Sequence, residues 1–171
     1  MHKIIKERRS CRDFDPERVV EREKIEEIVN AGLNAPTAVG TQDGIIVAIT
    51  NKEFRDKIVE LNAEIRGKDG DPFYGAPVIL LVAVKKGRFV PYDGSCMIEN
   101  MMLEAVNQGL DTCWIHRAKE ELESIKGLAL FKLVGIDLSE YEGVGHVALG
   151  YSLSGKYRDK TIKENRVFWV E

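Results

Sequence analysis

The chain is short of the residues that most often announce a chemistry. Its three cysteines, Cys11, Cys96 and Cys113, are odd in number and widely spaced. They form neither a disulfide framework nor a Cys-x-x-Cys pair, so reduced thiols in a cytoplasmic protein are expected. The three histidines, His2, His116 and His146, stand far apart. Without a His-Glu-x-x-His or paired-cysteine motif, no zinc site is expected. A Gly-x-x-x-x-Gly-Lys-Ser/Thr loop and a Gly-x-Ser-x-Gly elbow are both missing, which sets aside P-loop hydrolysis and the commonest serine hydrolase signature. Glycines do recur in Gly143-Val144-Gly145-His146-Val147-Ala148-Leu149-Gly150. Their spacing is not that of a dinucleotide fold, and they lead into apolar strand residues rather than out of a strand into a helix. No apolar run reaches the ~18 residues that span a bilayer, and residues 1–7 lack the apolar core of a signal peptide. The net charge is −3, whereas a general nucleic-acid binder carries a strongly basic face. Nothing in the composition marks a repeat or a linker, so residues 1–171 read as one domain. A chain of that length buries roughly 70% of its unfolded surface and needs no covalent staple.

What is present is an anion-binding chemistry at both ends. Arg8-Arg9-Ser10-Cys11-Arg12 places three guanidinium groups and a hydroxyl in five residues. Guanidinium binds phosphate through two parallel hydrogen bonds, and a hydroxyl can fill a remaining lone pair. Lys156, Arg158, Lys160 and Lys163 form a second basic cluster near the other end. If the two ends meet, they make one anion pocket in an acidic protein; otherwise both are solvated charge. The arginines beside Cys11 are expected to lower its pKa.

The hydrophobic pattern is mixed. Helices are expected over 2–9, 21–34, 52–66, 93–109 and 119–134, and strands over 45–50, 77–85, 111–116, 144–151 and 165–170. Asn51 reads as a helix cap before Lys52-Glu53-Phe54. The run Val78-Ile79-Leu80-Leu81-Val82-Ala83-Val84 is apolar without alternation, as suits a strand covered on both faces. Residues 94–109 carry Met97, Ile98, Met101, Met102, Ala105 and Val106 at helical spacing. A helix so apolar lies in the core or at a subunit interface. Residues 64–75, with three glycines and a proline, are either a surface loop or a mobile cover. Pro36 ends the helix before it and opens a loop of small and hydroxyl residues, Pro36-Thr37-Ala38-Val39-Gly40-Thr41-Gln42.

In this order these segments resemble the FMN-dependent nitroreductase family. The marks are the Arg-x-Ser-x-Arg start, the Ala35-Pro36-Thr37 loop ending in Gln42, and Gly75-Ala76-Pro77 before a core strand. Gly109-Leu110-Asp111-Thr112-Cys113-Trp114-Ile115 and the glycine-bounded strand 145–151 complete the set. The likeness covers almost the whole chain. It implies an α+β fold with a central mixed, mostly antiparallel sheet flanked by helices. It also implies an intertwined homodimer, in which a swapped C-terminal segment joins the partner's sheet.

The resemblance implies FMN as cofactor and assigns its neighbours. Arg12 matches the position that reaches the N1 and C2 edge of the ring. Arg8 and Ser10 match positions on the phosphate and ribityl side, and Arg9 a contact to the phosphate. Pro36, Thr37 and Ala38 match the loop that the second subunit lays over the flavin. Gln42 holds the family's glutamine position. Asp111, Thr112 and Cys113 match the stretch whose backbone lies near the reactive edge. Two departures stand out. An asparagine common two residues before the glutamine is Gly40 here, and the Pro-Trp after it is Asp43-Gly44. The C-terminal Lys-x-Arg becomes Lys160 and Ile162, leaving Arg158 or Lys163 to replace the arginine.

With no nucleophile, metal or acid–base pair in view, a cofactor that carries the chemistry fits the pattern. The implied activity is ping-pong transfer of electrons from NAD(P)H to a small nitroaromatic, quinone or similar electrophile, with no side chain assigned to proton transfer. A flavin store or sensor using the same pocket, and a small-anion-binding structural dimer, are the alternatives at this stage. No nucleic-acid or membrane partner is expected.

Overall fold

The computed structural model describes residues 1–155, 157 and 160–171. Four strands form one sheet in the order β1-β2-β4-β3: β1 Gly44–Ile49, β2 Val78–Lys85, β3 Asp111–Ile115 and β4 Tyr141–Gly150. All three strand pairs are antiparallel. The parallel pairing in the described residues is a single bridge, Ser10 to Thr112, so the pairing is mostly antiparallel, as the resemblance implied.

Helices cover both faces. On one face α2 (Arg22–Leu33) and α4 (Val90–Asn107) pack Ile25, Ile28, Met97, Ile98, Met101 and Ala105 against Leu80, Val82, Val147 and Leu149. On the other, Ile58 of α3 (Lys52–Arg66), Leu122 of α5 (Ala118–Glu123) and Phe131 of α6 (Ile125–Lys132) meet Ile79, Leu81 and Ala148. This explains why β2 lacks alternation: seven of its eight residues are buried, on both sides. A short α1 (Lys3–Glu7) precedes the arginine segment. The glycine-rich stretch is a bulge, with Val82 opposite Gly145 and Ala83 opposite Gly143. A Cβ on Gly143 would lie 2.2 Å from the Ala118 carbonyl oxygen, so α5 docks there only on glycine.

Several expected boundaries shift. The helix expected over 119–134 is two helices, because Ser124 is extended (φ −85°, ψ 141°) and its hydroxyl accepts from the Gly127 N–H to cap α6. The core helix begins at Val90, with Pro91 in its first turn, where a missing N–H is harmless. Helix α3 ends at Gly67 (φ 66°), and Asp71 then orders the following loop by accepting from the N–H groups of Phe73 and Gly75. No strand forms over 165–170 within this chain; those residues are exposed.

Candidate functional site

Residues 10–14 form an extended segment stitched between β3 and the end of β4. Cys11 N–H donates to the Thr112 carbonyl at 2.9 Å, and Phe14 bridges Ser152. Extended backbone sends alternate side chains to opposite sides. Ser10 and Arg12 therefore lie on one side, and Cys11 and Asp13 on the other. The Cys11 thiol donates to Asp13 Oδ1 at 3.3 Å, as that alternation requires.

Cys11 itself corrects the sequence expectation. Burial pushes its thiol up to about 11, with Asp13, Ser152 and Asp111 as the groups that act on it, not its neighbouring arginines. It stays protonated at neutral pH, a buried packing residue. Cys113 is where the basic side chains gather. Burial raises its pKa, while the Arg12 charge, the Ser10 hydroxyl and the Arg8 charge each pull it back. Arg8 and Ser10, assigned together from the sequence, and Arg12 thus all act on one thiol of β3. Arg8 is half-buried, with its Nε 3.7 Å from Glu99 Oε1 on α4, a loose pair. Among the described residues no carboxylate pairs with the exposed Arg12.

The two ends of the chain do meet. A cavity of about 370 Å³ is lined by Arg9, Asp111, Thr112 and Tyr157, with Val106 and Leu110 among its apolar walls. Arg9 Nη1 donates to the Lys6 and Arg8 carbonyls, which fixes the guanidinium at its rim. The Thr112 hydroxyl is 1% exposed yet has no hydrogen-bond partner among the described residues. An orphaned buried hydroxyl beside a guanidinium is chemistry for a phosphate or polyol oxygen. Asp111 accepts from the Tyr157 hydroxyl and, at 2.9 Å, from the Ser152 N–H, holding the C-terminal arm against β3. Lys160 and Lys163 are exposed, and no hydrogen bond or ion pair among the described residues ties them to this cavity. Arg158, the alternative phosphate ligand, lies outside the described residues.

The loop over residues 36–42 is strained and anchored. Ala38 N–H donates to Asp93 Oδ1 at 3.0 Å, and Gln42 N–H to Thr37 Oγ1 at 3.2 Å. Pro36 and Gln42 are exposed. Val39 (φ 54°) and Gln42 (φ 54°) both occupy the left-handed region. For a β-branched residue this conformation costs ~1–2 kcal/mol, yet the Val39 side chain is 90% exposed and gains no packing here. Asp93 and Glu99 were invisible as site residues in the sequence. The one available signal was an acid inside the most apolar helix.

We expect Val39→Gly to raise the thermal midpoint by ~2 °C, since relief of strain outweighs glycine's added freedom in the unfolded chain. A drop of several degrees would show that the loop is not strained.

Comparison with known proteins settles the lineage. A sequence model of the Nitroreductase family matches residues 5–151. This chain belongs to the nitroreductase family. A curated relative from Methanothermobacter thermautotrophicus, carrying the name NADH dehydrogenase/NAD(P)H nitroreductase, is 29% identical over 131 residues. That alignment takes in 72% of this chain and 65% of the relative, so the chain spans a little less than two thirds of that protein's length. Among solved structures, a Bacteroides fragilis nitroreductase with bound FMN superposes over 100% of both chains with a TM-score of 0.87 at 24% identity. A Desulfitobacterium hafniense nitroreductase with bound FMN gives 0.78 at 21% identity, covering 99% of this chain and 97% of that one. A BluB-like flavoprotein from Clostridium difficile gives 0.80 at 19%, over 98% and 97%. At these identities the likeness establishes the nitroreductase fold.

Proposed function

We propose that this nitroreductase-family protein is an FMN-dependent oxidoreductase that carries electrons from NAD(P)H to a small electrophilic acceptor, such as a nitroaromatic or a quinone. The observation that carries the reading is the cavity where the two chain ends meet, lined by Arg9 and by Thr112 with its orphaned hydroxyl, next along β3 to the Cys113 thiol on which Arg8, Ser10 and Arg12 act. The donor set fits the group: guanidinium and hydroxyl for a phosphate and ribityl chain, and an exposed arginine, with no carboxylate partner among the described residues, for the polar edge of a ring. When bound, FMN supplies the hydride and electron chemistry that no side chain here offers. The chain's own residues bind and orient it. Arg8, Arg9, Ser10 and Thr112 hold the phosphate and ribityl side, with Lys160, Lys163 and Arg158 as candidate additions from the arm. Arg12 supplies positive charge at the ring edge. Burial keeps Cys113 protonated, so it serves as wall rather than nucleophile.

The same reading takes residues 1–171 as one domain and the working unit as a homodimer. Three features support the dimer. Strand β1 is hydrogen-bonded on one side only and leaves an open edge. Helix α4 presents Tyr92, Cys96, Glu99 and Leu103 along one stripe outside the core. Val167, Phe168, Trp169 and Val170 are 67–100% exposed, an apolar tail that water penalises unless a second copy covers it. Pro36, Thr37, Ala38 and Gln42 would then reach the partner's flavin. Three free cysteines suit a reducing cytoplasm, and no helix among the described residues is long and apolar enough to cross a membrane.

The test is direct. Protein reconstituted with excess flavin should release FMN, identified by mass spectrometry, and should oxidise NADH or NADPH when nitrofurazone or menadione is supplied. Recovery of FAD, or of no flavin, overturns the cofactor. Bound FMN without turnover would favour a flavin store.

A further inference from the structure

The turn between β3 and α5 stands out in its backbone. Arg117 carries a full side chain at φ 80°, ψ 5°, in the left-handed region. A non-glycine residue keeps such a conformation only where its surroundings enforce it. Here the enforcing groups are named. Arg117 Nε donates to Asn62 Oδ1 at 2.8 Å, and Asn62 Nδ2 donates to the His116 carbonyl at 2.9 Å. Asn62 therefore grips the turn from both sides. The same Nδ2 donates to Glu121 Oε1 at 2.5 Å, and Glu121 Oε2 lies 3.0 Å from His146 Nε2. That last approach is at ion-pair distance, and neither atom has a hydrogen-bond partner among the described residues.

The amide orientation follows from these contacts. Turned over, Asn62 would set its oxygen against two acceptors and its nitrogen against the Arg117 donor. Asn62, Glu121 and His146 are all 0% exposed. They sit in an otherwise apolar layer, with Phe73 edge-on to the His146 ring at 5.3 Å. Apolar residues of similar volume often stabilise such a layer as well as a buried polar set does. The layer's packing alone thus gives no reason for this trio, whereas the turn does. Helix α5 starts in close contact with β4, its Ala118 carbonyl lying where a Cβ on Gly143 would be.

The turn lies at the end of the strand that carries the candidate site. Two residues beyond Cys113 along one side comes Ile115, and on the other Trp114 stacks on His116, with ring centroids 6.2 Å apart at 30°. We infer that Asn62 and Glu121 are positioning residues: they clamp the β3–α5 turn in its left-handed form and thereby fix the end of β3, the strand that carries the candidate site residues Thr112 and Cys113. The clamp itself rests on the geometry above. Its consequence for flavin rests on the function proposed above.

Glycine adopts φ 80° freely, which gives the test. On FMN-reconstituted protein, Asn62→Ala should raise the FMN dissociation constant about tenfold, the scale of lost buried hydrogen bonds. It should also shift the flavin absorbance band. Arg117→Gly alone should change affinity by less than about threefold. The double variant should return to within about threefold of wild type, because a glycine turn no longer needs the clamp. Equal affinity and spectrum in the double variant and in Asn62→Ala overturns the inference, as does an Asn62→Ala protein with unchanged flavin properties. If Asn62→Ala does not fold, Glu121→Gln is the milder probe. Its spectral shift should likewise be rescued by Arg117→Gly, and absence of rescue counts against the clamp. If the wild-type protein binds no flavin, the proposed function falls and urea midpoints judge the clamp alone. A smaller loss from Asn62→Ala in the Arg117→Gly background supports it, and strict additivity overturns it.

Discussion

Deleting residues 165–171 should turn a dimer into a monomer and strip it of FMN. The tail carries Val167, Phe168, Trp169 and Val170, all well exposed in the single chain. Beside the open edge of β1 runs a groove of about 430 Å³, lined by Val47, Ile49, Phe54, Val134 and Ile136. Val134 is 53% exposed. A partner's tail laid along β1 would pair the free backbone groups and send alternate side chains to the two sheet faces, one set toward this groove. Each apolar side chain kept from water contributes ~1.5–3 kcal/mol, and a twofold dimer makes the tail contact twice. Truncation should raise the dimer dissociation constant at least a thousandfold, equivalent to ~4 kcal/mol. Sedimentation velocity at micromolar concentration reads the change, and flavin absorbance in the sedimenting boundary reads the cofactor. A truncated protein that still sediments as a dimer with full FMN would show that the tail is not the partner's strand. A full-length monomer holding FMN would overturn the shared site altogether.

Local pattern foretold what local physics decides. Asn51 caps α3 by accepting from the Phe54 N–H at 2.9 Å, as its place before Lys52-Glu53-Phe54 required. The unbroken apolar run of β2 and the methionine-rich stripe of α4 marked the middle layer and its cover, because burial on both faces leaves no alternation to read. The break at Ser124 was hidden, since serine is tolerated within helices. What decides there is the pair of bonds Ser124 makes once extended: its hydroxyl donates to the Glu121 carbonyl and accepts from the Gly127 N–H, and a Cβ on Gly127 would lie 2.0 Å from that carbonyl oxygen, so the turn fits only glycine.

Cys11 shows where sequence neighbourhood misleads. Three arginines flank it within four positions, but on an extended segment Arg12 and Cys11 point opposite ways. Burial then raises the thiol that charge was expected to lower. The Asn62–Glu121–His146 set was out of reach for a different reason. Asn62 lies more than fifty residues from His116, Arg117 and Glu121, all of which it holds. Only His146, polar in an apolar strand, gave any sign.

Arg8→Ala and Arg12→Ala should separate anchoring of the phosphate from tuning of the ring. A charge-assisted hydrogen bond contributes ~1.5–3 kcal/mol. If Arg8 holds the phosphate, its loss weakens both redox states alike and leaves the midpoint potential in place. The dissociation constant should rise roughly ten- to a hundredfold. Glu99, 3.7 Å from Arg8 and half exposed, loses little when its partner goes, because such a pair is worth under about 1 kcal/mol. Arg12 is different: it is exposed, and no carboxylate among the described residues neutralises it. At the ring edge its full charge favours the reduced, negatively charged flavin over the neutral oxidised one. Arg12→Ala should therefore lower the midpoint potential and slow reduction by NAD(P)H more than it weakens binding of oxidised FMN. For a two-electron couple ~1.4 kcal/mol of differential stabilisation is about 30 mV, well within a dye-linked redox titration. Run beside a fluorescence binding titration, that measurement divides the roles. A potential that moves equally in both variants, or in neither, would show that the two arginines do not divide the cofactor between phosphate and ring.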